Sequence, residues 1–247
     1  MLNALFDPLG FVAPVSLLAK IILQNLCRKG IGWDESIPEA DSEAWLKWVS
    51  YLPGLSGLKI PRCIIPRSEL SNCWICLHHI SDASMNGYGT VTYLRVFTED
   101  KKVHCSFMFA KARLMPIKSV SIPQLELMAA CLAVQVDTFI RCETDFQCWN
   151  SLFWTDSTSV LQMIHNTSTR YPVFVANRLT NIEQSSNPTQ WRYVDSKRIA
   201  DHVSRGLTFG SKAQSFYISK TKICLRRRFT FPICLKNFWH RTVENSR

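Results

Sequence analysis

The sequence predicts an α/β fold: a mixed five-stranded sheet flanked by helices, preceded by a small, mainly helical segment. Three observations carry that reading. Between residues 73 and 109, three apolar or β-branched runs follow one another across brief polar connections. After residue 121, each further strand-like run is reached through a helical pattern. Before residue 69, turn signals surround two helical stripes. Short connections make an antiparallel meander. Helical crossovers favour parallel pairing, here onto the first strand, with helices on the faces of the sheet.

The elements follow in order. In residues 1–68, Asp7-Pro8-Leu9-Gly10, Pro53-Gly54 and Ser56-Gly57 mark turns. Ser16 to Leu26 places Leu17, Ile21, Ile22 and Leu26 near one helical face, and Asp41 to Leu52 repeats the theme with Trp45, Trp48 and Leu52. Pro61 and Pro66 mark the exit. Cys73 to Ile80 suits a buried strand, Gly87 and Gly89 punctuate the chain after it, and Thr90 to Phe97 is β-branched and aromatic. Val103 to Phe109 is a third strand beyond the polar turn Glu99 to Lys102. Ser121 with Gln124 makes a capping-box pattern, and Pro123 suits a first helical turn. Leu125, Met128, Leu132, Val136 and Phe139 then recur at helical spacing. A strand (Leu152 to Thr155), a short helix (Ser159 to His165), a longer helix (Pro172 to Gln184), a strand (Trp191 to Val194) and a helix from about Ile199 complete the order. Residues 208–247, with Arg226-Arg227-Arg228, form an undetermined basic tail.

Composition narrows the function classes. The chain has 247 residues, 47% of them hydrophobic, which is enough for a packed core. The formal net charge of +10 favours a polyanionic partner, nucleic acid first. No run reaches the length of a membrane span, so no membrane partner is expected. The segment Met1 to Cys27 is apolar but lacks a basic leader and carries Asp7, Pro8, Pro14 and Lys20. Export is therefore not expected, and the cytoplasm, with access to the nucleus left open, is the expected location. Ten cysteines are scattered, apart from one C-x-x-C at Cys73 and Cys76 and a looser pair at Cys142 and Cys148. No second half-site for zinc accompanies them, and free thiols in a reducing compartment are expected.

Acidic residues interrupt the apolar elements at four places. Asp82 ends the first strand, Glu126 lies one turn into the long helix, Asp156 ends the fourth strand, and Asp201 lies near the start of the last helix. With strands one and four parallel neighbours, Asp82 and Asp156 emerge side by side at the carboxyl ends, where open α/β sheets bind ligands. The helices can bring Glu126 and Asp201 to the same edge. Carboxylates gathered at one point repel and need cations. Hard oxygen ligands select Mg²⁺ or Mn²⁺, and a pair of such ions is a standard device for phosphodiester cleavage. Taken singly, each residue has a structural role open to it. Asp156 could cap the following helix, Glu126 could be a solvated helix position, and Asp201 could complement a helix dipole. Four together, each at the matching place in the element order, favour a metal centre.

These same segments resemble a known family. Phe6-Asp7-Pro8-Leu9-Gly10, Trp33-Asp34-Glu35 and Pro61-Arg62 resemble the stretch that follows the reverse transcriptase palm in BEL/Pao retrotransposon polyproteins. Ser81-Asp82-Ala83-Ser84, Ile122-Pro123-Gln124-Leu125-Glu126-Leu127, Trp154-Thr155-Asp156-Ser157 and Ala200-Asp201-His202-Val203-Ser204-Arg205-Gly206 resemble its ribonuclease H motifs. The resemblance implies a connection-like helical segment over residues 1–68 and a ribonuclease H-like domain over 69–207, with sheet order 3-2-1-4-5. It also implies hydrolysis of the RNA strand of RNA–DNA hybrids. The four carboxylates would hold two Mg²⁺ or Mn²⁺ ions, and the remaining polyprotein (polymerase palm, protease and integrase) would be the partner. The chain departs from the pattern in carrying Arg198-Ile199 where the family has Asn-Pro, in lacking the palm, and in its tail after Gly206.

Candidate contacts to the hybrid are Lys111, Arg113 and Lys118, placed before the long helix, and Asn177 and Arg178 on a later one. Trp154 and Trp191 read as core. The competing function is a degenerate or domesticated fragment that binds nucleic acid or a protein without cleaving. An aspartic protease is excluded, because Asp82-Ala83-Ser84 and Asp156-Ser157-Thr158 lack the glycine of its triplet.

Overall fold

The computed structural model describes residues 6–60, 63–65, 73–98, 102–118, 120–145, 148–166, 168–194 and 201–207, with backbone alone at 148–149 and 201–202. The elements are α1 (Ala13–Arg28), α2 (Glu39–Tyr51), β1 (Cys73–Ala83), β2 (Gly87–Thr98), β3 (Val103–Leu114), α3 (Ile122–Glu143), β4 (Cys148–Thr155), α4 (Thr158–His165), α5 (Val173–Ser185), β5 (Trp191–Tyr193) and α6 (Asp201–Arg205). A 3₁₀ turn over Leu52–Gly57 absorbs both turn signals that follow α2.

The sheet has the order β3-β2-β1-β4-β5. Strands β1, β2 and β3 form the antiparallel meander, and β4 and β5 add in parallel on the far side of β1. The expected mixed sheet is therefore present in the expected order. The meander strands run longer than their apolar patterns suggest, because β1 continues to Ala83 and β3 to Leu114. Two expectations change as a result. Gly87 and Gly89 lie inside β2 rather than between strands, and Lys111 and Arg113 sit on β3 rather than on the connection to the helix. The helix expected from about Ile199 begins at Asp201, and residues 195–200 and the tail from 208 lie outside the described residues.

Helix α3 lies across one face of the sheet. Leu125, Ala129, Leu132, Val136 and Ile140 pack on Leu77, Leu94, Val96 and Met108. Its second flank, with Leu127, Ala130 and Val134, packs on Phe153, Val160, Leu179 and Ile182. The single stripe read from the sequence is thus one of two, and Phe139, expected in it, is 50% exposed. Trp191 is buried and stacks on Phe153 with centroids 4.8 Å apart, whereas Trp154 is only partly buried.

The opposite face is covered by the amino-terminal segment together with α6 and the residues just after it. Ala13, Val203 and Leu207 join Ile80, Val91, Tyr93 and Phe107 in one cluster. The Ala110 N–H donates to the Leu9 carbonyl (2.9 Å), the Leu207 N–H donates to the Pro14 carbonyl (3.1 Å), and the Trp48 indole donates to the Val15 carbonyl (2.9 Å). Asp7 prepares the entry to α1 by accepting from the Val12 N–H at 2.8 Å. Its carboxyl is nonetheless pushed above the usual range, because burial outweighs its backbone hydrogen bonds and Lys20.

Gly10 sits at φ 77°, and a Cβ there would lie 1.8 Å from the Ala110 carbonyl oxygen. A side chain is barred both by the left-handed backbone and by the strand beneath it. Gly10→Ala is expected to cost at least about 2 kcal/mol, read as a lower urea midpoint with an unchanged slope.

Beneath the middle of α3 lies a buried polar network. His79 bridges Thr92 Oγ1 (2.9 Å, from Nδ1) and Asp137 Oδ1 (2.9 Å, from Nε2). A carboxylate can only accept, so Nε2 carries the proton and Nδ1 accepts from the Thr92 hydroxyl. Arg141 Nε reaches Asp137 Oδ2 at 3.0 Å, its Nη2 donates to Ser151 Oγ at 2.7 Å, and the Ser151 hydroxyl donates to Asp137. Burial alone would raise the Asp137 pKa, but His79, Ser151 and Arg141 together bring it below the ordinary carboxylate value. Burial lowers His79 despite Asp137, which keeps the ring neutral. The network ties β1, β2 and β4 to α3 and so fixes the helix that carries Glu126.

Candidate metal centre

The register of β1 and β4 determines the site. Ser81 is level with Thr155 in the parallel pair, so Asp82 and Asp156 are the next residues on neighbouring strands. Adjacent strands are about 4.8 Å apart, which brings their carboxylates together at the carboxyl edge. Glu126, in the first full turn of α3, descends onto them. One carboxylate oxygen from each of Asp82, Glu126 and Asp156 lies within 4.8 Å of the others. Asp82 is 2% exposed and Glu126 8%, and Asp156 is partly buried.

The electrostatics match the geometry. The Glu126 carboxyl is pushed up to about 8, first by burial, then by the charges of Asp156 and Asp82, against one hydrogen bond from the Ala83 backbone. Glu126 Oε2 is buried with no hydrogen-bond partner among the described residues. A buried acceptor without a donor is costly unless something binds it. Three clustered carboxylates, one with an orphaned buried oxygen, fit a hard divalent cation. They do not resemble a helix cap: Ser157, not Asp156, caps α4, its hydroxyl accepting from the Val160 N–H at 3.3 Å.

Of the four carboxylates read from the sequence, the structure brings three together. Asp201 is the first residue of α6, and its side chain lies outside the described residues. Helix α6 itself is held at the site. The Ser204 hydroxyl donates to Asp82 Oδ2, and its carbonyl accepts from Ser84 Oγ at 2.7 Å. The close approach relies on Gly89, opposite Asp82 in the register, where a Cβ would fall 2.3 Å from Val203 Cγ1. Ser204 stands in the last motif, but its bond to Asp82 is not legible there. A hydroxyl three residues beyond an aspartate says nothing of its target until β1 and α6 are docked.

The other expected contacts are dispersed. Lys111, Arg113 and Asn177 are exposed, Arg178 is half-buried, and Lys118 is exposed in the connection before α3. Arg113, Asn177 and Arg178 line one cavity with Gln135 and Asn181, which sequence reasoning passed over. Lys111 and Lys118 are not among its lining residues.

Among solved structures, the fold is similar to the N-terminal RNase H domain of a Mycobacterium tuberculosis protein, at 10% identity and TM-score 0.34, covering 55% of this chain and 98% of that one. It is also similar to LC11-RNase H1 in complex with an RNA/DNA hybrid, at 7% identity and TM-score 0.30, covering 62% and 99%. The foamy viral protease–reverse transcriptase in complex with dsDNA aligns over 83% of this chain and 41% of its own, at 12% identity and TM-score 0.28. No curated protein matches the chain. The sequence profile described as Pao retrotransposon-like RNaseH-like domain matches residues 1–157, a span that contains Asp82, Glu126 and Asp156 and stops short of Asp201. With well over half its length matched, the chain belongs to the Pao retrotransposon RNase H-like domain family.

Proposed function

We propose that this chain is a divalent-metal-dependent nuclease that hydrolyses the RNA strand of RNA–DNA hybrids within a retrotransposon polyprotein. In this reading residues 1–68 are the connection segment and residues 69–207 the nuclease domain. The observation that carries it is the carboxylate cluster of Asp82, Glu126 and Asp156, with Glu126 Oε2 buried and unsatisfied. These residues, joined by Asp201, would hold Mg²⁺ or Mn²⁺, which when bound supplies a water of lowered pKa and neutralises charge at the phosphate. The protein's own work is placement. The β1–β4 register sets Asp82 and Asp156 side by side, the buried network beneath α3 sets the depth of Glu126, and Ser204 fixes one oxygen of Asp82. The basic surplus, including Lys111, Arg113, Lys118 and Arg178 with Asn177, serves a phosphate backbone, and 2′-hydroxyls distinguish the RNA strand. The polymerase palm, protease and integrase are its expected polyprotein partners. Among the described residues no helix is long and apolar enough to cross a membrane.

The test is cleavage of an end-labelled RNA–DNA hybrid by purified protein in Mg²⁺, in Mn²⁺ and in EDTA, with duplex DNA and single-stranded RNA alongside. Cutting of the RNA strand of the hybrid, dependent on the ion, is expected. A folded protein that binds the hybrid and leaves it whole would overturn the enzyme reading in favour of a binding fragment.

A further inference from the structure

Helix α6 has five residues, with Asp201 as its first and Ser204 near its end. A helix this short has little stability of its own, so its packing partners decide where it stands. One partner is the sheet, against which Val203 is buried with Ile80, Val91 and Tyr93. The other is α1.

The exit of α6 is built onto α1. Gly206 stands at φ 81°, the left-handed backbone that ends a helix, and a Cβ there would fall 2.5 Å from Leu18 Cδ2 and 3.3 Å from the Pro14 carbonyl oxygen. The Leu207 N–H donates to that same carbonyl, and Leu207 shares an apolar cluster with Ala13. Helix α1 also reaches the other walls of the carboxylate edge. A Cβ on Gly87, in the turn from β1 to β2, would meet Leu17 Cδ1 at 3.4 Å. Gln24 Nε2 donates to the Met115 carbonyl at 2.6 Å, at the start of the connection to α3. The Met115 N–H in turn donates to the Asn86 carbonyl at 3.2 Å. One helix thus braces α6, the turn that follows Asp82 and the approach to the helix of Glu126.

Helix α6 transmits this bracing to the carboxylates. Ser204 is fully buried, and its hydroxyl donates to Asp82 Oδ2. Ser84, two residues beyond Asp82, donates to the Ser204 carbonyl. Bonded at one oxygen, the Asp82 carboxylate has its rotation set by where α6 sits.

We infer that α1 is a positioning element of the metal centre: through Pro14 and Leu18 it docks α6, and through Ser204 it orients Asp82 for a divalent ion. Residues 1–68 then work as part of the centre rather than as a detachable lead-in. The inference rests on the carboxylate cluster holding an ion, as in the nuclease reading, but its test does not depend on cleavage. Docking of α6 and binding of the ion must strengthen one another by the same factor.

Two quantities are measured on the full chain: amide hydrogen exchange in residues 203–207, with the middle of α3 as internal reference, and the affinity for Mn²⁺ by calorimetry. Leu18→Asp places a charge against Gly206. It is expected to speed exchange in 203–207 at least about tenfold and to weaken Mn²⁺ binding roughly tenfold to a hundredfold, the range for groups that orient a metal ligand. Leu18→Met keeps the apolar contact and should behave as the native chain. Leu23→Asp makes the same change on an exposed position of α1 and should also leave both quantities unchanged. Saturating Mn²⁺ should slow exchange in 203–207 of the native chain. Should Leu18→Asp also speed exchange in α3, the milder Leu18→Ala is read in its place.

Native exchange and native affinity in Leu18→Asp would overturn the inference. Faster exchange at α6 with undiminished Mn²⁺ affinity would also overturn it, because α1 would then hold α6 without acting on the centre. A native chain that binds Mn²⁺ with this coupling yet never cuts a hybrid would support the inference and sink the nuclease reading. A native chain that cuts, while Leu18→Asp binds Mn²⁺ normally, would do the reverse.

Discussion

Asp82→Asn and Asp156→Asn are each expected to lower hybrid cleavage at least about a hundredfold while leaving hybrid affinity in EDTA close to that of the native chain. The magnitude comes from position. Groups that merely orient a metal ligand are worth about tenfold to a hundredfold, so loss of a ligand itself should cost no less. The shape changes little, because the amide is nearly isosteric with the carboxylate. Asp82→Asn keeps an acceptor for the Ser204 hydroxyl, so α6 should stay docked. Removal of one carboxylate also lessens the repulsion on Glu126, and neither variant should melt below the native chain when both are metal-free. The checks are single-turnover cleavage, anisotropy in EDTA and the thermal midpoint. Undiminished cleavage by either variant would remove these residues from the centre.

The second large effect is on stability against pH. Glu126 has an ordinary value of 4.5 and stands at about 8 in the folded chain, raised by burial first and then by Asp156 and Asp82. The folded state therefore holds this proton more tightly than the unfolded state. The group's contribution to stability is complete below pH 4.5 and is lost as pH rises through about 8. In EDTA the native chain is expected to lose a few kcal/mol between these limits relative to Glu126→Gln, whose side chain never ionises. Millimolar Mg²⁺ or Mn²⁺ is expected to raise the thermal midpoint of the native chain above pH 8 and to have little effect near pH 5, where the proton competes with the ion. Parallel midpoint-against-pH curves for the native chain and Glu126→Gln would show that Glu126 is not under this strain.

How much of this site the sequence discloses depends on the range of each signal. Asp82 and Asp156 are legible because a strand end is a local event, and parallel pairing of β1 with β4 follows from the intervening helix. Glu126 is legible because Ser121 and Gln124 mark the start of α3; the Gln124 side chain accepts from the Ser121 N–H at 3.0 Å. The second buried flank of α3 is not legible. Ala130 and Val134 are apolar in a helix whose pattern is already explained by the first flank, and only α4 and α5 give them a partner. The sequence pattern puts Arg113 in a connection because the charges of Lys111 and Arg113 interrupt the apolar run of β3. The strand continues there because β2 supplies its backbone partners, whatever the side chains. The cavity joins residues from β2, β3, α3 and α5, a juxtaposition that no spacing encodes.

The network of His79, Asp137, Arg141 and Ser151 bears on how this family can diverge. Loss of Asp137 alone would strand the buried His79 Nε2–H without its acceptor, at a cost of about 1–3 kcal/mol. Replacement of the whole group by well-packed apolar side chains would be nearly neutral by the same physics. The four positions thus behave as one heritable unit. Related chains should carry either the full set or an apolar substitute for it, and intermediates should be rare, with positions 79 and 137 changing together across 58 residues of sequence.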